Sequence, residues 1–402
     1  MSKRIVIVGG GIVGLATAFR LLQTRPGAKV LVVDKEAGPG LHQSTHNSGV
    51  LHAGLYYAPG SLKARLCRSG LQEMVRFCRE NKVDHEICGK LVVATTEAEV
   101  ARLEALHERG LANGLTGLRM LRPEAMREIE PHAGGLAALH VPEEGIVNYE
   151  QVCARLVEKI AALGGSFRWN TRIRAFHFAV DAWRLEAPQD EVVGDYLITC
   201  GGLYSDRLAR AAGEEVETKI IPFRGEYFQL RPERQFLVRN LIYPVPDPTF
   251  PFLGVHFTRL IRGGIEAGPN AVLALAREGY RKSDFDLEDM RDSLTFPGLW
   301  RFLARHRTMC WDELRRSWSK RLFCRSLQRL VPEIEPADLV AGGAGVRAQA
   351  MTPAGDLVQD FALAQSPHAL HVINAPSPAA TASLAIGAEI VSRLDNDSPS
   401  LL

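Results

Sequence analysis

A glycine-rich turn near the N-terminus is the feature that most restricts how this chain can fold. An apolar, β-branched run ends at Val8, and after the glycines the chain resumes as small residues that favour a helix. Gly9, Gly11 and Gly14 have the spacing G-x-G-x-x-G, which in a strand–turn–helix unit lets the backbone approach a pyrophosphate at the positive end of the helix. The sequence therefore predicts a Rossmann-like α/β domain that binds a dinucleotide.

An acidic residue after the next predicted strand supports this prediction. Residues 29–34 form an apolar run that ends in Asp34, twenty residues past Gly14. A carboxylate at that spacing can accept hydrogen bonds from an adenosine ribose, and it disfavours a 2′-phosphate. The alternative is that Asp34 only caps the turn after the strand.

Composition and charge indicate a globular protein and give no reason to expect a nucleic-acid partner. Of the 402 residues, 46% are hydrophobic and 23% are charged, and the net charge is +2. The first strand begins almost at once and no apolar run approaches ~20 residues, so we expect neither a targeting peptide nor a membrane span. The seven cysteines form no C-x-x-C pair, so we expect reduced thiols in the cytoplasm and no metal site.

Residues 42–57 are unusually rich in histidine, hydroxyl groups and glycine. Small residues and hydrogen-bond donors suit a loop that lies against a flat polar ring. The alternative is an ordinary surface loop in which Asn47 and Ser48 cap turns.

Two later segments repeat the form of the opening turn. Residues 192–199 form an apolar strand that runs into Gly201 and Gly202 and then a helix start. Residues 370–374 form another strand, followed by a small-residue loop and a helix from about Ala379. Both helix N-termini are suited to electronegative groups.

The pattern changes after residue 220, where short alternating strands are separated by proline and glycine. The predicted strands are 223–230, 241–244 and 252–259, which favours an antiparallel sheet in a second, α+β domain. We expect both domains to be discontinuous in sequence. The predicted ranges are 1–80, 145–210 and 335–402 for the dinucleotide domain, and 81–144 and 211–334 for the substrate domain.

Residues 296–330 predict helices rich in basic and aromatic side chains. Nine arginines and lysines are opposed only by Asp312 and Glu313, and Trp300, Trp311 and Trp318 lie among them. One interpretation is a solvated face whose aromatic residues join the core. The other is a surface that docks on anionic lipid.

Together these segments resemble the D-amino-acid-oxidase-like superfamily of FAD proteins, and more narrowly the L-2-hydroxyglutarate dehydrogenases and oxidases. The resemblance covers nearly the whole chain. The stretches of sequence that carry the resemblance are 9–18, 42–57, 59–65, 200–209, 222–227, 241–259, 264–274, 345–350 and 374–387. The runs LIYPVPDP (241–248) and FLGVHFTR (252–259) are specific to the narrower family. The family often has Glu in place of Asp34 and Asp in place of Arg262.

The resemblance implies an FAD molecule extended across the first domain. It implies Asp34 at the ribose, Lys35 beside the adenosine and the Ile173 backbone at the adenine. The N-terminus of the last helix would stabilise negative charge on the reduced flavin. The residues implied to bind FAD are Gly9, Gly11, Ile12, Val13, Gly14, Asp34, Lys35, Ser44, Thr45, His46, Asn47, Ser48, Gly49, Ile173, Gly201, Gly202, Pro378, Ala379, Ala380 and Thr381.

The reaction that the resemblance implies is oxidation of L-2-hydroxyglutarate to 2-oxoglutarate, with hydride transfer from C2 to flavin N5. A neutral histidine suits the base that takes the hydroxyl proton. His52 and His256 are the candidates, and His46 is a third that better fits a cofactor contact. The sequence does not choose among them.

A dicarboxylate substrate calls for cations, and the planar fork of arginine matches a carboxylate. Arg347 is the first candidate, because a Gly-x-Arg at this point binds the substrate carboxylate in several members of the superfamily. Arg259 and Arg224 are candidates for the distal carboxylate. Tyr243 and Tyr57 could donate hydrogen bonds from the pocket wall.

Other functions stay open at this point. The chain could oxidise another 2-hydroxy acid, glycerol 3-phosphate or a secondary amine, or it could be a non-catalytic flavin subunit of an electron-transfer complex. As electron acceptor we favour a quinone over oxygen, because the basic, aromatic segment offers a face for the surface of the inner membrane.

Overall fold

The structure of the chain, a computed structural model, describes residues 3–248 and 252–397. Within these ranges no helix combines the length and the apolar character needed to cross a bilayer. Helical periodicity in the sequence predicts helices near 61–81 and 97–112 with a short strand over 90–94 between them, and the structure confirms all three. The α-helices of the described residues are Ile12–Thr24, Leu62–Glu80, Glu97–Ala112, Pro123–Ile129, Tyr149–Ala162, Ser205–Ala211, Leu287–Leu294, Pro297–Arg305, Arg307–Trp318, Lys320–Gln328 and Ala379–Asp397.

A six-stranded sheet, here the first sheet, organises one part of the fold. Its order is Ala362–Ser366, Ala369–Asn374, Tyr196–Thr199, Arg4–Val8, Lys29–Val33 and Ser166–Arg168. All neighbouring strands are parallel except the first two. Parallel neighbours need crossover connections, so this arrangement confirms the predicted Rossmann-like α/β domain. The strand predicted over 192–199 is divided at Asp195, whose N–H donates to the carbonyl of Arg4.

The two faces of the first sheet are covered differently. Ile5 and Ile7 pack in a core that includes the helices Ile12–Thr24 and Ala379–Asp397. Val6 and Val8 point to the opposite face, because side chains alternate along a strand, and pack with the hairpin sheet. The strands of the hairpin sheet are Ala175–Ala179, Ala182–Glu186 and Glu191–Gly194.

A larger sheet, here the second sheet, forms the other part of the fold. It runs in the order Val272–Leu273, Lys219–Leu230, Ile265–Gly268, His256–Arg259, Leu241–Pro244, Lys90–Ala94, Ala137–Val141 and Arg119–Leu121. Its pairs are antiparallel except Leu241–Pro244 with Lys90–Ala94. The predicted antiparallel sheet is therefore confirmed, with one parallel pair.

One long strand differs from the predicted division of the chain. Leu339–Met351 lies within 335–402, which the sequence assigned to the FAD-binding domain, but it pairs antiparallel with Lys219–Leu230 of the second sheet. Its run of glycine and alanine over 341–345 lacks strand-like alternation, so the sequence pattern gave no signal for a strand. We therefore propose that the last domain boundary follows Met351, and the other ranges stay a prediction.

The basic, aromatic segment, residues 296–330, forms three short helices, Pro297–Arg305, Arg307–Trp318 and Lys320–Gln328. Phe302 and Phe323 are buried, whereas Trp300, Trp311 and Trp318 keep 55%, 61% and 75% of their surface exposed. The phenylalanines therefore join the core, as the first interpretation expected, and the tryptophans do not. Docking of this segment on anionic lipid stays a prediction.

Candidate active site

A cavity of about 410 Å³ lies between the two sheets, with the glycine turn at one end and polar side chains of the second sheet at the other. Sixteen of the predicted site residues line it. They are Gly11, Ile12, Val13, Ser44, His46, Asn47, Ser48, His52, Gly202, Tyr243, His256, Arg347, Pro378, Ala379, Ala380 and Thr381. The predicted residues outside the lining are Gly9, Gly14, Asp34, Lys35, Thr45, Gly49, Tyr57, Ile173, Gly201, Arg224 and Arg259.

The glycine turn leaves no room for side chains. A Cβ on Gly9, whose φ is +120°, would lie 2.3 Å from the carbonyl oxygen of Cys200. A Cβ on Gly14 would lie 2.0 Å from the carbonyl oxygen of Gly9. Gly11, Ile12 and Val13 line the cavity where the helix begins. The Ser44 hydroxyl accepts from the Ile12 N–H, and the other backbone N–H groups of this first turn fit a pyrophosphate.

Asp34 is held beside this turn by backbone donors. Its carboxylate accepts from the N–H of Gly10 at 2.6 Å and from the N–H of Glu36 at 2.8 Å. This is the turn-capping role that the sequence offered as the alternative, although each oxygen keeps a lone pair for a ribose hydroxyl. The loop that holds Ile173 also reaches this point, because the Thr171 N–H donates to the Asp34 carbonyl at 2.8 Å. The ribose and adenine roles stay predictions.

Lys35 is occupied by neighbouring side chains. Its Nζ forms ion pairs with Glu36 and with Glu278, the latter at 2.6 Å, and lies 3.0 Å from Nε2 of His42. The structure therefore places Lys35 in a cluster of its own, and its contact with adenosine stays a prediction.

The loop over 44–49 is shaped by its own polar side chains. The amide of Asn47 donates to the carbonyls of Gln43 and Ser44 at 2.9 Å and accepts from the Gly49 N–H at 2.9 Å. The Ser44 hydroxyl accepts from the Ile12 N–H at 2.9 Å, which fixes the loop against the glycine turn. Asn47 thus caps turns as the simpler interpretation expected, while the loop still lines the cavity.

The N-terminus of the last helix, Ala379–Asp397, is tied to the strand Val50–Leu51. The Thr381 hydroxyl accepts from the His52 N–H at 3.2 Å and lies 3.0 Å from the Tyr149 hydroxyl, and both hydroxyls reach the Val50 carbonyl. As a result the helix N-terminus and His52 face the same cavity.

The two candidate bases have different surroundings. The His256 ring stacks on Tyr243 with centroids 3.8 Å apart, and its Nδ1 lies 2.9 Å from the Gly254 carbonyl. Burial lowers the pKa of His256 to about 3, so this ring is neutral at physiological pH. The Nδ1 of His52 instead lies 3.7 Å from the carboxylate of Glu144.

Of the three predicted arginines, the structure brings only Arg347 to the cavity. Its guanidinium lies 5.4 Å from the ring centre of Phe252, and none of the salt bridges among the described residues involves it. Arg259 is paired with Glu86 at 2.6 Å and Arg224 with Glu226 at 3.0 Å. Both are paired outside the cavity lining, and their contact with a distal carboxylate stays a prediction.

Sequence reasoning missed a second cation in the cavity, Lys63. Its Nζ donates to the Gln359 carbonyl at 3.1 Å, and burial lowers its pKa to about 8. No local pattern distinguishes Lys63 from Arg65 or Arg68 of the same helix. Gln349, also missed, lies two residues after Arg347 in the strand Leu339–Met351 and so shares its face. Finding it from the sequence would have required predicting that strand first.

Comparison with known sequences shows strong similarity over nearly the whole chain. Residues 4–393 match the model of a family described as FAD dependent oxidoreductase. The L-2-hydroxyglutarate dehydrogenase of Indibacter alkaliphilus is 47% identical over 97% of this chain and 98% of its own length. That of Escherichia coli K12 is 43% identical over 97% and 92%, and the mitochondrial human protein of the same name 42% identical over 97% and 88%.

Comparison with solved structures shows the same fold in more distant proteins. L-α-glycerophosphate oxidase from Mycoplasma pneumoniae, solved with FAD bound, has a TM-score of 0.80 at 21% identity and covers 98% of this chain and 95% of that chain. Glycine oxidase from Geobacillus kaustophilus has a TM-score of 0.71 at 18% identity, with coverage of 99% and 96%. At such identities the likeness concerns the fold alone.

Proposed function

Because the chain belongs to the family of FAD-dependent oxidoreductases, we propose that it oxidises L-2-hydroxyglutarate to 2-oxoglutarate. Proteins named for this dehydrogenase activity are 42% to 47% identical to it over 97% of its length. The observation that carries the proposal is that one cavity holds two cations, Arg347 and Lys63, together with three imidazoles, those of His46, His52 and His256. Such a set suits a dicarboxylate whose hydroxyl group loses a proton.

The cavity fits FAD at the end where the glycine turn lies. A Cβ on Gly9 or Gly14 would collide with a backbone carbonyl, so only glycine allows the tight turn that brings Gly11, Ile12 and Val13 to the cavity. The helix N-termini at Ile12 and Ala379 both face the cavity. When bound, FAD accepts the hydride that leaves C2 of the hydroxy acid. The protein contributes binding, orientation and proton transfer.

Each of the two cations binds one carboxylate of the substrate. Arg347 lies on the same wall as His256 and Tyr243, so it binds the carboxylate next to the reacting carbon in a bidentate manner. Lys63 comes from the helix Leu62–Glu80, outside the second sheet, and takes the distal carboxylate. This arrangement favours a substrate with two carboxylates over one with a single carboxylate.

The proposal is tested by adding L-2-hydroxyglutarate to the purified yellow protein without oxygen and following the flavin absorbance. We expect rapid bleaching with L-2-hydroxyglutarate and little with its D-enantiomer, L-lactate, glycerol 3-phosphate or sarcosine. Bleaching by one of the last three in place of L-2-hydroxyglutarate would support the corresponding alternative substrate. If none bleaches the flavin, the proposal is wrong and a non-catalytic flavin subunit is favoured.

We further propose that a quinone at the cytoplasmic surface of the inner membrane takes the electrons. The support is the exposure of Trp300, Trp311 and Trp318 on helices that also carry exposed basic side chains. Several basic side chains of this region already form salt bridges within the protein. The pairs are Arg305 with Asp356, Arg316 with Glu313, and Arg329 with Glu99. The tryptophans are therefore the stronger part of this surface.

Sedimentation with vesicles that contain anionic lipid tests the membrane contact. We expect binding that weakens at high salt and falls when Trp311 and Trp318 are both changed to Ser. Neutralising Arg315, Arg316, Lys320 and Arg321 should also weaken it. Binding that is unchanged in both sets of variants would rule this surface out.

A further inference from the structure

Three side chains, His52, Glu144 and Lys90, connect the cavity with the protein interior. One carboxylate oxygen of Glu144 lies 2.7 Å from Lys90 Nζ and 3.7 Å from His52 Nδ1. Of the three, His52 alone lines the cavity. The side chains of Glu144 and Lys90 are 1% and 0% exposed, so a buried ion pair stands directly behind a candidate base.

A small sheet brings these groups together. Its strand Val50–Leu51 pairs antiparallel with Gly145–Val147, and Leu51 stands opposite Gly145. Glu144 precedes one strand and His52 follows the other, so the two side chains meet at the end of the pair. The other carboxylate oxygen of Glu144 accepts from the Ala53 N–H at 3.3 Å, which fixes the carboxylate to this corner.

The ion pair is built to stay charged. Lys90 Nζ lies 4.5 Å from the ring centre of Tyr56 and 4.9 Å from that of Tyr243, so aromatic faces replace part of its lost hydration. Burial acts to raise the pKa of Glu144, but the charge of Lys90 and the neighbouring imidazole of His52 outweigh it and lower that pKa to about 2. Burying an ion pair carries a large desolvation penalty, so this pair contributes little to the stability of the fold. Its position behind His52 therefore suggests a role in the reaction.

We propose that Glu144, neutralised by Lys90, is a positioning residue that holds His52 with a protonated Nδ1 toward the carboxylate and Nε2 toward the cavity. His52 is then the base for the proposed reaction, on which this inference rests. The hydroxyl proton of the substrate moves to Nε2, the C2–H bond breaks with its electron pair going to bound FAD, and the C–O bond becomes the carbonyl of the 2-oxo acid. Glu144 stabilises the imidazolium that forms.

His256 lacks this support. Its Nδ1–H donates to a neutral carbonyl, that of Gly254, and the charged neighbours that act on it, Arg347 and Lys90, are cations that disfavour its protonation. The stack on Tyr243 fixes its ring as part of the wall. His256 is therefore assigned to substrate contact and His52 to proton transfer.

The test is a double-mutant cycle on the rate of flavin reduction at saturating L-2-hydroxyglutarate, with FAD-loaded variants. We expect His52→Asn and Glu144→Gln each to slow reduction by about 10²-fold, and the double variant to be no slower than His52→Asn alone. The dissociation constant of 2-oxoglutarate, measured by the flavin spectrum, should change less than threefold in Glu144→Gln. Glu143→Gln is the matched control, because the neighbouring Glu143 pairs with Arg68, and neither lines the cavity.

Imidazole ¹⁵N NMR gives a readout that does not depend on turnover. With the His52 signals assigned by their loss in His52→Asn, we expect the Nδ1–H tautomer in the unaltered protein and a mixture of tautomers in Glu144→Gln. If Glu144→Gln fails to fold, the double variant Lys90→Met/Glu144→Gln is measured in its place, because it removes both charges of the ion pair. A Glu144 variant with normal rate and tautomer, or losses that multiply in the double variant, would overturn the inference. Absence of bleaching in the unaltered protein would instead overturn the proposed function.

Discussion

The two ends of the cavity are built in opposite ways. At the glycine turn, three residues within six positions expose backbone and exclude side chains, as the contacts of a hypothetical Cβ at Gly9 and Gly14 show. At the other end, the substrate wall, formed by Tyr227, Tyr243, His256 and Arg347, takes each side chain from a different strand of the second sheet. One end is local in sequence and the other is assembled by tertiary pairing.

This difference predicts whether a substitution changes the stability of the fold or the binding of the substrate. In the proposed function the backbone of the turn binds the cofactor, so we expect an added side chain there to disrupt the fold before it changes any affinity. The side chains of the substrate wall bind the substrate in the same proposal, so we expect a truncation there to leave the fold in place and to change substrate affinity or rate. Substitutions at the two ends therefore test this difference.

Gly14→Val should have the largest effect. The new Cβ would lie 2.0 Å from the Gly9 carbonyl, and the helix and strand cannot separate without opening the first sheet. We expect destabilisation of about 3 kcal/mol or more and protein without bound FAD, measured by thermal unfolding and by the flavin spectrum. Gly38→Ala is the control, because a Cβ there meets no atom within 4 Å. A Gly14→Val variant that is stable and still binds FAD would contradict this expectation.

Arg347→Met should be next, with the fold intact. Arg347 is half-buried, and a bound carboxylate would complete its burial. Loss of one partner of such a charge pair costs about 2–5 kcal/mol, so we expect kcat/KM for L-2-hydroxyglutarate to fall about 10²- to 10³-fold while FAD stays bound. Arg259→Met serves as the matched control, since Arg259 pairs with Glu86 outside the cavity lining. Equal losses in the two variants would show that Arg347 acts through stability alone.

Lys63→Met should have a smaller effect that depends on the substrate. We expect KM for L-2-hydroxyglutarate to rise about tenfold, and kcat/KM for a hydroxy acid with one carboxylate to change little, because Lys63 is assigned to the distal carboxylate. Steady-state kinetics of both substrates measure this, with Arg65→Met, an exposed cation of the same helix, as control. A similar loss for both substrates would remove Lys63 from the distal site.

Glu266→Gln should have the smallest effect and act on stability. Burial raises the pKa of Glu266 to about 7, so the folded state favours the protonated carboxyl. Its stabilisation is complete below the ordinary pKa near 4.5 and is lost as the pH rises to about 7. We therefore expect the variant to be more stable than the unaltered protein by about 1 kcal/mol at pH 8, with the difference vanishing toward pH 4.5 in thermal unfolding. A constant difference across this range would exclude titration of Glu266 as the cause.

The sequence predicted local elements well and the substrate end of the cavity only partly. The bounds of Lys90–Ala94, Glu97–Ala112 and Leu241–Pro244 agree with the structure, because each is a short run with a clear period. The long strand Leu339–Met351 was missed, because its glycines and alanines carry no period. Lys63 was missed because a lysine on an amphipathic helix has the same local signal whether it faces solvent or a cavity.

What the sequence determined by itself is the strand–turn–helix at the N-terminus, since three glycines at this spacing restrict φ, side-chain volume and helix start at once. Only the tertiary structure decided which arginine faces the cavity. Arg259 and Arg347 both lie in strands, but strand pairing leaves Arg259 beside Glu86 and turns Arg347 to the cavity. The physical reason is that register between distant strands sets the direction of a side chain, and that register depends on the packing of the whole sheet.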